Sequence, residues 1–116
     1  AFKNKKFKLY QPDFRRNFVH ISDISNAFVF SIKNFKKLKN NIFNLGLNDA
    51  NITKLDLCKK IKTFLPKFEF EISEDQKDPD QRDYFVSNKK INEAGFEAKY
   101  SLDEGIKELI NYYKQN

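Results

Sequence analysis

Cysteine and histidine are almost absent, and this limits the chemistry open to the chain. Cys58 and His20 are the single members of their types among 116 residues. One cysteine excludes an internal disulfide and any cysteine-rich zinc site. Cys58 lies between Leu57 and Lys59 in an apolar pattern, which predicts a buried core thiol rather than a nucleophile. His20 lies in the apolar run 18–21, which predicts a hydrogen-bonded structural histidine.

Glycine and long apolar runs are also scarce. There are three glycines, none clustered, and no G-x-x-G-x-x-G motif, so no glycine turn can bring the backbone close to a pyrophosphate. No apolar run approaches the roughly 18 to 20 residues that a membrane helix needs. No charged segment followed by an apolar one opens the chain, as a signal peptide would. We therefore expect no membrane partner and a cytoplasmic location.

Methionine is absent altogether, and the chain begins at Ala1. An intact translation product begins with methionine, so a residue or a segment has been removed. Loss of one methionine and loss of a whole N-terminal domain both explain this start, and composition does not separate them. The length of 116 residues is enough for one domain over 1–116.

The charge balance is basic, with a formal net charge of +6. A free-standing basic module that binds nucleic acid is therefore an alternative function. Such a module needs basic and aromatic residues interleaved on one surface. The lysines are scattered here, and the 13 Phe and 5 Tyr mostly occupy apolar positions with Ile and Leu. This pattern favours a packed core and argues against a nucleic-acid partner.

Hydrophobic periodicity predicts a small mixed α/β domain with two or three short strands and about four helices. Alternation predicts strands over 5–10 and 68–72, an extended stretch at 18–21, and short apolar strands at 42–46 and 84–86. The spacing of Ile24, Ala27, Phe28, Ile32 and Phe35 predicts a helix capped by Asp23.

Three further helices carry their own start and stop signals. Thr53 is predicted to cap a helix that Pro66 ends, and Gly95 is predicted to end a short helix that begins at Ser87. Ser101 and Glu104 form a capping box before the last helix. Two apolar stripes are predicted to be buried: Leu57, Ile61, Phe64 and Leu65 in one helix, and Leu102, Ile106, Leu109, Ile110 and Tyr113 in the last.

Arginine is used at only three positions, against 19 lysines, which suggests roles that depend on geometry. The guanidinium fork can grip two phosphate oxygens at once, and lysine cannot. Arg15, Arg16 and Arg82 are therefore candidate ligand-binding residues. The alternative for Arg82 is a salt bridge with Asp80 or Asp83. The neighbouring acidic pairs lie in a polar loop without histidine, so we expect no metal site there.

Three segments, taken in order, resemble the C-terminal half of a known enzyme family. Residues 16–23 (RNFVHISD) are similar to its R-x-F/Y-V-H-V-x-D motif, and residues 42–46 (IFNLG) are similar to its Y-N-V-G strand. Residues 80–106 are similar to its ending, R…S-x-K-I…L-G-F/W-x-P-x-x-S-L-x-x-G-I. The family is that of the extended short-chain dehydrogenases/reductases, the NAD-dependent epimerases and dehydratases of nucleotide sugars.

The resemblance implies a fold and a set of roles. The chain would be the C-terminal substrate-binding domain, without the Rossmann domain, and its 42–46 strand would join the sheet of that missing domain. Arg16 and Arg82 would bind the diphosphate of a nucleotide-diphosphate sugar, and Arg15, Asn44 and Gly46 are further substrate-loop candidates. NAD or NADP would be the cofactor of the parent enzyme, a homodimer, and the chain itself would bind none.

The chain departs from the family pattern in two ways. A glycine-containing turn usually precedes the first arginine, and this chain has Gln11-Pro12-Asp13-Phe14 instead. No tyrosine is followed four residues later by lysine, so the family's proton-transferring pair is missing. We therefore expect this chain alone to bind no NAD and to have no dehydrogenase activity. Its apolar 42–46 strand, without neighbours, should make it self-associate.

Overall fold

A computed structural model describes residues 6–74 and 82–115 as a mixed α/β arrangement, which confirms the predicted class. The longest helix in this part of the chain has 14 residues, and none is long and apolar enough to cross a membrane. The strands are β1 (Lys6–Leu9), β2 (Arg15–Asn17), β3 (Asn51–Thr53) and β4 (Glu69–Ile72). The helices are α1 (Ile21–Lys33), α2 (Phe35–Leu38), α3 (Lys54–Phe64), α4 (Lys89–Ala94) and α5 (Leu102–Gln115).

The first core cluster lies beneath a two-stranded parallel sheet. Strands β1 and β4 pair in register from Lys6 opposite Glu69 to Leu9 opposite Ile72. Leu9, Cys58 and Phe68 are buried together, with α3 covering them. The predictions of a strand within 5–10, a strand at 68–72 and a buried thiol at Cys58 are thus confirmed for the described residues.

The second sheet is a short antiparallel pair that places the arginines. Strand β2 pairs with β3, so that Arg16 lies opposite Ile52. The extended stretch predicted at 18–21 was placed too far along the chain, since the ladder covers 15–17 and Ile21 already belongs to α1. The ladder forms earlier because β3 has only three residues and lies opposite Arg15–Asn17.

The cap of α1 differs from the prediction. His20, not Asp23, is the N-cap residue, and its Nδ1 accepts a hydrogen bond from the backbone N–H of Ser22 at 3.2 Å. Asp23 lies inside the helix with 1% of its surface exposed. Its two carboxylate oxygens accept the backbone N–H groups of Lys99 and Tyr100, each at 3.0 Å. Asp23 therefore ties α1 to the segment before α5.

The second core cluster is covered on one side only. Ala27, Ile91 and Phe96 are buried together, and Phe43 and Leu45 pack against them. The opposite face of α1 and α2 is apolar but exposed, with Phe28 at 69% and Ile32 at 74%. The predicted helix is confirmed, but three members of its apolar pattern, Phe28, Ile32 and Phe35, lie on the open side.

Two predicted strands do not form ladders in the described part of the chain. Residues 41–47 lie in an irregular segment, where Ile42 is 87% exposed, and residues 84–86 are also irregular. Neither segment exchanges ladder hydrogen bonds with another strand among the residues described, and a strand requires such pairing. Residues 75–81, which hold most of the predicted acidic loop, fall outside those residues.

Local helix signals agree well with the structure. Thr53 Oγ1 accepts the N–H of Asp56 at 3.0 Å, and Ser101 and Glu104 form the reciprocal capping box at 3.2 and 2.7 Å. Gly95 ends α4 with φ of 108°. In α5, Ile106 and Ile110 are buried as predicted, while Leu109 and Tyr113 are exposed. The predicted stripe of α5 is therefore wider than its buried face.

The molecule has more surface than its mass requires. Its accessible area is 8580 Å², whereas a compact monomer of 13.8 kDa has about 6,600 Å². Its radius of gyration is 16.6 Å, against about 13 Å for a compact domain of this length. Among the described residues, the apolar outer face of α1 contributes to this exposed surface.

Candidate functional site

The three arginines of the chain meet at one place. Strand β2 supplies Arg15 and Arg16, and residues 82–86 run beside it. Consecutive strand residues point to opposite faces, so the two arginines have different surroundings. Arg15 is exposed and Arg16 is half-buried.

Arg15 is bound to an acid far along the chain. Its Nε and Nη2 donate to Asp83 Oδ1 and Oδ2 at 3.1 and 3.0 Å, and its backbone N–H donates to Oδ1 at 2.8 Å. The guanidinium hydrogen bonds hold the pKa of Asp83 below its usual range, and they raise the pKa of Arg15. Arg15 is therefore engaged by a carboxylate in this structure.

Arg16 is the link between β2 and the second arginine segment. Its Nη1 donates to the backbone carbonyl of Arg15 at 2.8 Å and to the backbone carbonyl of Arg82. Its guanidinium carbon lies 5.2 Å from the centre of the Tyr84 ring, a cation–π distance. The structure thus brings Arg16 and the Arg82 backbone into direct contact.

Arg82 is exposed at the start of this segment. Of its two proposed salt-bridge partners, Asp83 directs its carboxylate to Arg15. Asp80 falls outside the described residues, so the structure does not test that pairing. Arg82 as a ligand contact remains a prediction.

An asparagine that the sequence did not single out holds the other end of this segment. Asn51 Nδ2 donates to the carbonyl of Val86 at 3.0 Å, and Asn51 Oδ1 accepts the N–H of Val86 at 2.8 Å. One side chain therefore satisfies both backbone groups of Val86 in place of a neighbouring strand. A side-chain amide can do this for any backbone segment, so sequence alone carries no signal for it.

The remaining substrate-loop candidates lie on the 41–47 segment. Asn44 is exposed, whereas Gly46 is buried. A Cβ at Gly46 would collide with Oδ1 of Asn17, and Asn17 also exchanges two hydrogen bonds with the backbone of Leu47 at 2.8 and 2.9 Å. The glycine therefore permits a close approach between β2 and this segment. Whether Asn44 or Gly46 contacts a ligand stays a prediction.

Guanidinium groups are suited to binding anions, because a bidentate contact with phosphate oxygens is stronger than a neutral hydrogen bond. Anion binding by these arginines stays a prediction. Within residues 6–74 and 82–115, no three His, Cys, Asp or Glu side chains lie close enough to hold a metal ion. His20 is committed to structure, since it caps α1, stacks on Tyr100 at 4.4 Å and contacts Glu108 at 3.2 Å.

Comparison with the sequences of known proteins identifies relatives that match most of this chain. No family model matches the chain. It is 31% identical over 108 residues to dTDP-D-glucose 4,6-dehydratase of Bos taurus, a match that covers 87% of this chain and 30% of the relative. The chain thus spans about a third of the length of the curated relatives it matches.

Solved structures agree with this result. The structure of dTDP-glucose 4,6-dehydratase from Bacillus anthracis, in complex with NAD, has a TM-score of 0.76 at 25% identity, covering 98% of this chain and 36% of that one. L-threonine dehydrogenase from Phytophthora infestans has a TM-score of 0.82 at 13% identity over 97% of this chain and 38% of that one, which is a likeness of fold alone. In sequence and in fold, the chain corresponds to the C-terminal part of enzymes of the extended short-chain dehydrogenase/reductase family.

Proposed function

We propose that the chain is the part of an NAD(P)-dependent nucleotide-sugar epimerase, dehydratase or reductase that grips the nucleotide diphosphate of the substrate. The observation that carries this proposal is the meeting of all three arginines at the junction of β2 and residues 82–86. Arg82 would bind the diphosphate through its exposed fork, and Arg16 would support it from β2. A lysine could not replace arginine in this role, because it lacks the planar pair of donors.

The cofactor would be held by another domain. A dinucleotide needs a glycine turn between a strand and a helix, and all three glycines here serve other purposes. Gly46 packs on Asn17, Gly95 ends α4, and Gly105 lies inside α5 against the His20 ring. The residues present therefore do not fit NAD or NADP, and we derive no chemical step through either one.

The covering partner of the second core cluster would be that cofactor domain. The outer face of α1 is apolar and exposed, and the 41–47 segment forms no strand ladder among the described residues. A strand at 41–47 would add to a neighbouring sheet of that domain. This agrees with a chain that spans about a third of its relatives' length.

Substitution of Arg82 tests the diphosphate site. In the full-length polypeptide that carries this chain, Arg82→Lys keeps the charge and removes the fork. We expect the Kd for UDP, dTDP or GDP, measured by calorimetry, to rise about tenfold, which is about 1.4 kcal/mol. NAD affinity and thermal stability should not change.

The matched control is Lys36→Arg, a charge-conserving change at an exposed position of α2. It should leave nucleoside diphosphate affinity unchanged. An Arg82→Lys variant that binds the best nucleoside diphosphate as tightly as the wild type would remove Arg82 from the site. Salt-dependent binding of arbitrary duplex DNA in the same preparation would instead support a basic nucleic-acid module.

A further inference from the structure

We propose that Arg15 and Asp83 are a positioning pair: Arg15 holds residues 82–86 against β2 so that Arg82 and Arg16 face the anion, and it contacts no ligand itself. This inference rests on the proposed diphosphate site and deepens it. It assigns different work to two neighbouring arginines that the sequence pattern could not distinguish. It also explains why an acidic residue, Asp83, lies beside the proposed diphosphate site.

The geometry fastens the segment at both ends. Asp83 receives three hydrogen bonds from Arg15, at 2.8, 3.0 and 3.1 Å. Val86 exchanges two with Asn51 on β3, at 2.8 and 3.0 Å. Strands β2 and β3 are paired to each other, so both fastening points belong to one small sheet. The segment between them is held by side chains where no strand ladder forms.

Arg16 fills the middle of this arrangement. Its Nη1 reaches the carbonyl of Arg82, and its guanidinium lies over the Tyr84 ring at 5.2 Å. Residues 82 and 84 thus contact β2, as residue 83 does, while residue 86 contacts β3 of the same small sheet. A segment that protein contacts already hold in place loses less conformational entropy when a ligand binds, so the affinity for the ligand is higher.

Electrostatics supply a second reason for the pair. An unpaired carboxylate at position 83 would repel a diphosphate and attract the guanidinium of Arg82. The bidentate contact with Arg15 directs both oxygens of Asp83 to Arg15. Arg15 therefore neutralises the one acid that adjoins Arg82 in the described sequence, and it leaves the orientation of the segment set by β2.

The test compares Arg15→Gln with the double variant Arg15→Gln/Asp83→Asn, in the full-length polypeptide, with UDP, dTDP and GDP as probes. Arg15→Gln leaves an unpaired carboxylate, so the Kd of the best probe should rise about tenfold. The double variant removes that carboxylate and should recover about half of the loss on a logarithmic scale. Arg15→Lys, which keeps the charge without the fork, should lie between the wild type and Arg15→Gln.

Hydrogen exchange supplies a readout that needs no ligand. The Val86 amide should exchange several-fold faster in Arg15→Gln, while amides in α3 should keep their wild-type rates. Wild-type affinity and wild-type exchange at Val86 in Arg15→Gln would overturn the positioning role. If no probe binds the wild type, the diphosphate site is wrong, and faster exchange at Val86 alone would still support the fastening by Arg15. A double variant as weak as Arg15→Gln would overturn the electrostatic part.

Discussion

The two core clusters of this chain differ in how completely the chain covers them. The first cluster, Leu9, Cys58 and Phe68, lies between a parallel strand pair and α3. The second cluster, Ala27, Ile91 and Phe96, has α4 and residues 43–45 on one side and the exposed apolar face of α1 on the other. Both clusters come from ordinary apolar periodicity. The difference shows that a helical pattern predicts which residues are apolar but does not say which molecule covers them.

The second region compensates with polar contacts inside the chain. Asp23 fastens α1 to residues 99 and 100, and Asn17 fastens residue 47 to β2. The first region has its buried aromatic Phe68 at 2% exposure. We therefore expect apolar truncations to be costly in the first region, and polar truncations to be costly in the second.

The largest expected effect is that of Phe68→Ala in the first region. Removing a buried phenyl ring leaves a cavity and should lower the free energy of unfolding by about 3–5 kcal/mol. Phe28→Ala, the same change on the open face of α1, should cost no more than about 0.5 kcal/mol. Urea denaturation measures both. Equal losses would mean that the two regions are covered alike.

Asp23→Ala should have the next largest effect, within the second region. The backbone N–H groups of Lys99 and Tyr100 would lose their acceptor, which should cost about 1–3 kcal/mol. Asp13→Ala, at an exposed turn position, is the matched control and should be close to neutral. A cost for Asp23→Ala no greater than that of the control would show that α1 is held by other contacts.

Ser101→Ala tests a local helix-capping signal, whose effect does not depend on how completely either core cluster is covered. Loss of the N-cap of α5 should cost about 1 kcal/mol. Hydrogen bonds from Ser101 hold the pKa of Glu104 below its usual range. The stabilisation from this carboxylate is therefore present above the ordinary glutamate pKa and is lost as the pH falls through the lowered value. Thermal denaturation against pH should show that dependence in the wild type and not in Glu104→Gln.

The smallest expected change in stability is that of substitutions on the exposed apolar face of α1. The double variant Phe28→Ser/Ile32→Ser should alter the free energy of unfolding by less than about 0.5 kcal/mol. It should nevertheless reduce the binding of a hydrophobic dye and the self-association expected of the chain without its covering domain. Lys33→Ser/Lys36→Ser, at exposed positions of α1 and α2, is the control. If dye fluorescence and sedimentation are unchanged in Phe28→Ser/Ile32→Ser, the surface that binds dye and self-associates lies elsewhere.

Local signals in the sequence predicted most elements, because caps and stops act over three or four residues. Thr53, Ser101 and Gly95 all work as predicted. Asp23 was misassigned because aspartate is favoured both as a cap and as a buried acceptor for backbone N–H groups. The distinction depends on residues 99 and 100, more than 70 positions away.

The candidate site was predictable only in part, for the same reason. The scarcity of arginine and the family resemblance singled out Arg15, Arg16 and Arg82, but neither indicated that the structure brings them together, and their contact with a ligand stays a prediction. The pairing of Arg15 with Asp83 spans 68 positions and is created by the packing of residues 82–86 on β2. Residues 42–46 and 84–86 form no ladder among the described residues, because a strand needs a second strand to pair with. The resemblance had assigned the 42–46 strand to the sheet of another domain, so that prediction stays open.

The parallel pairing of β1 and β4 has a consequence for the order in which the chain folds. Leu9 pairs with Ile72, so more than 60 residues must be synthesised after β1 before its neighbour exists. Closing a loop of that length has an entropic cost that local helices do not face, and contacts of this kind slow folding. On the ribosome, α1 and α3 can therefore form while β1 is still unpaired. Within the described residues, β1 would be synthesised before the other elements and would be among the last to pair.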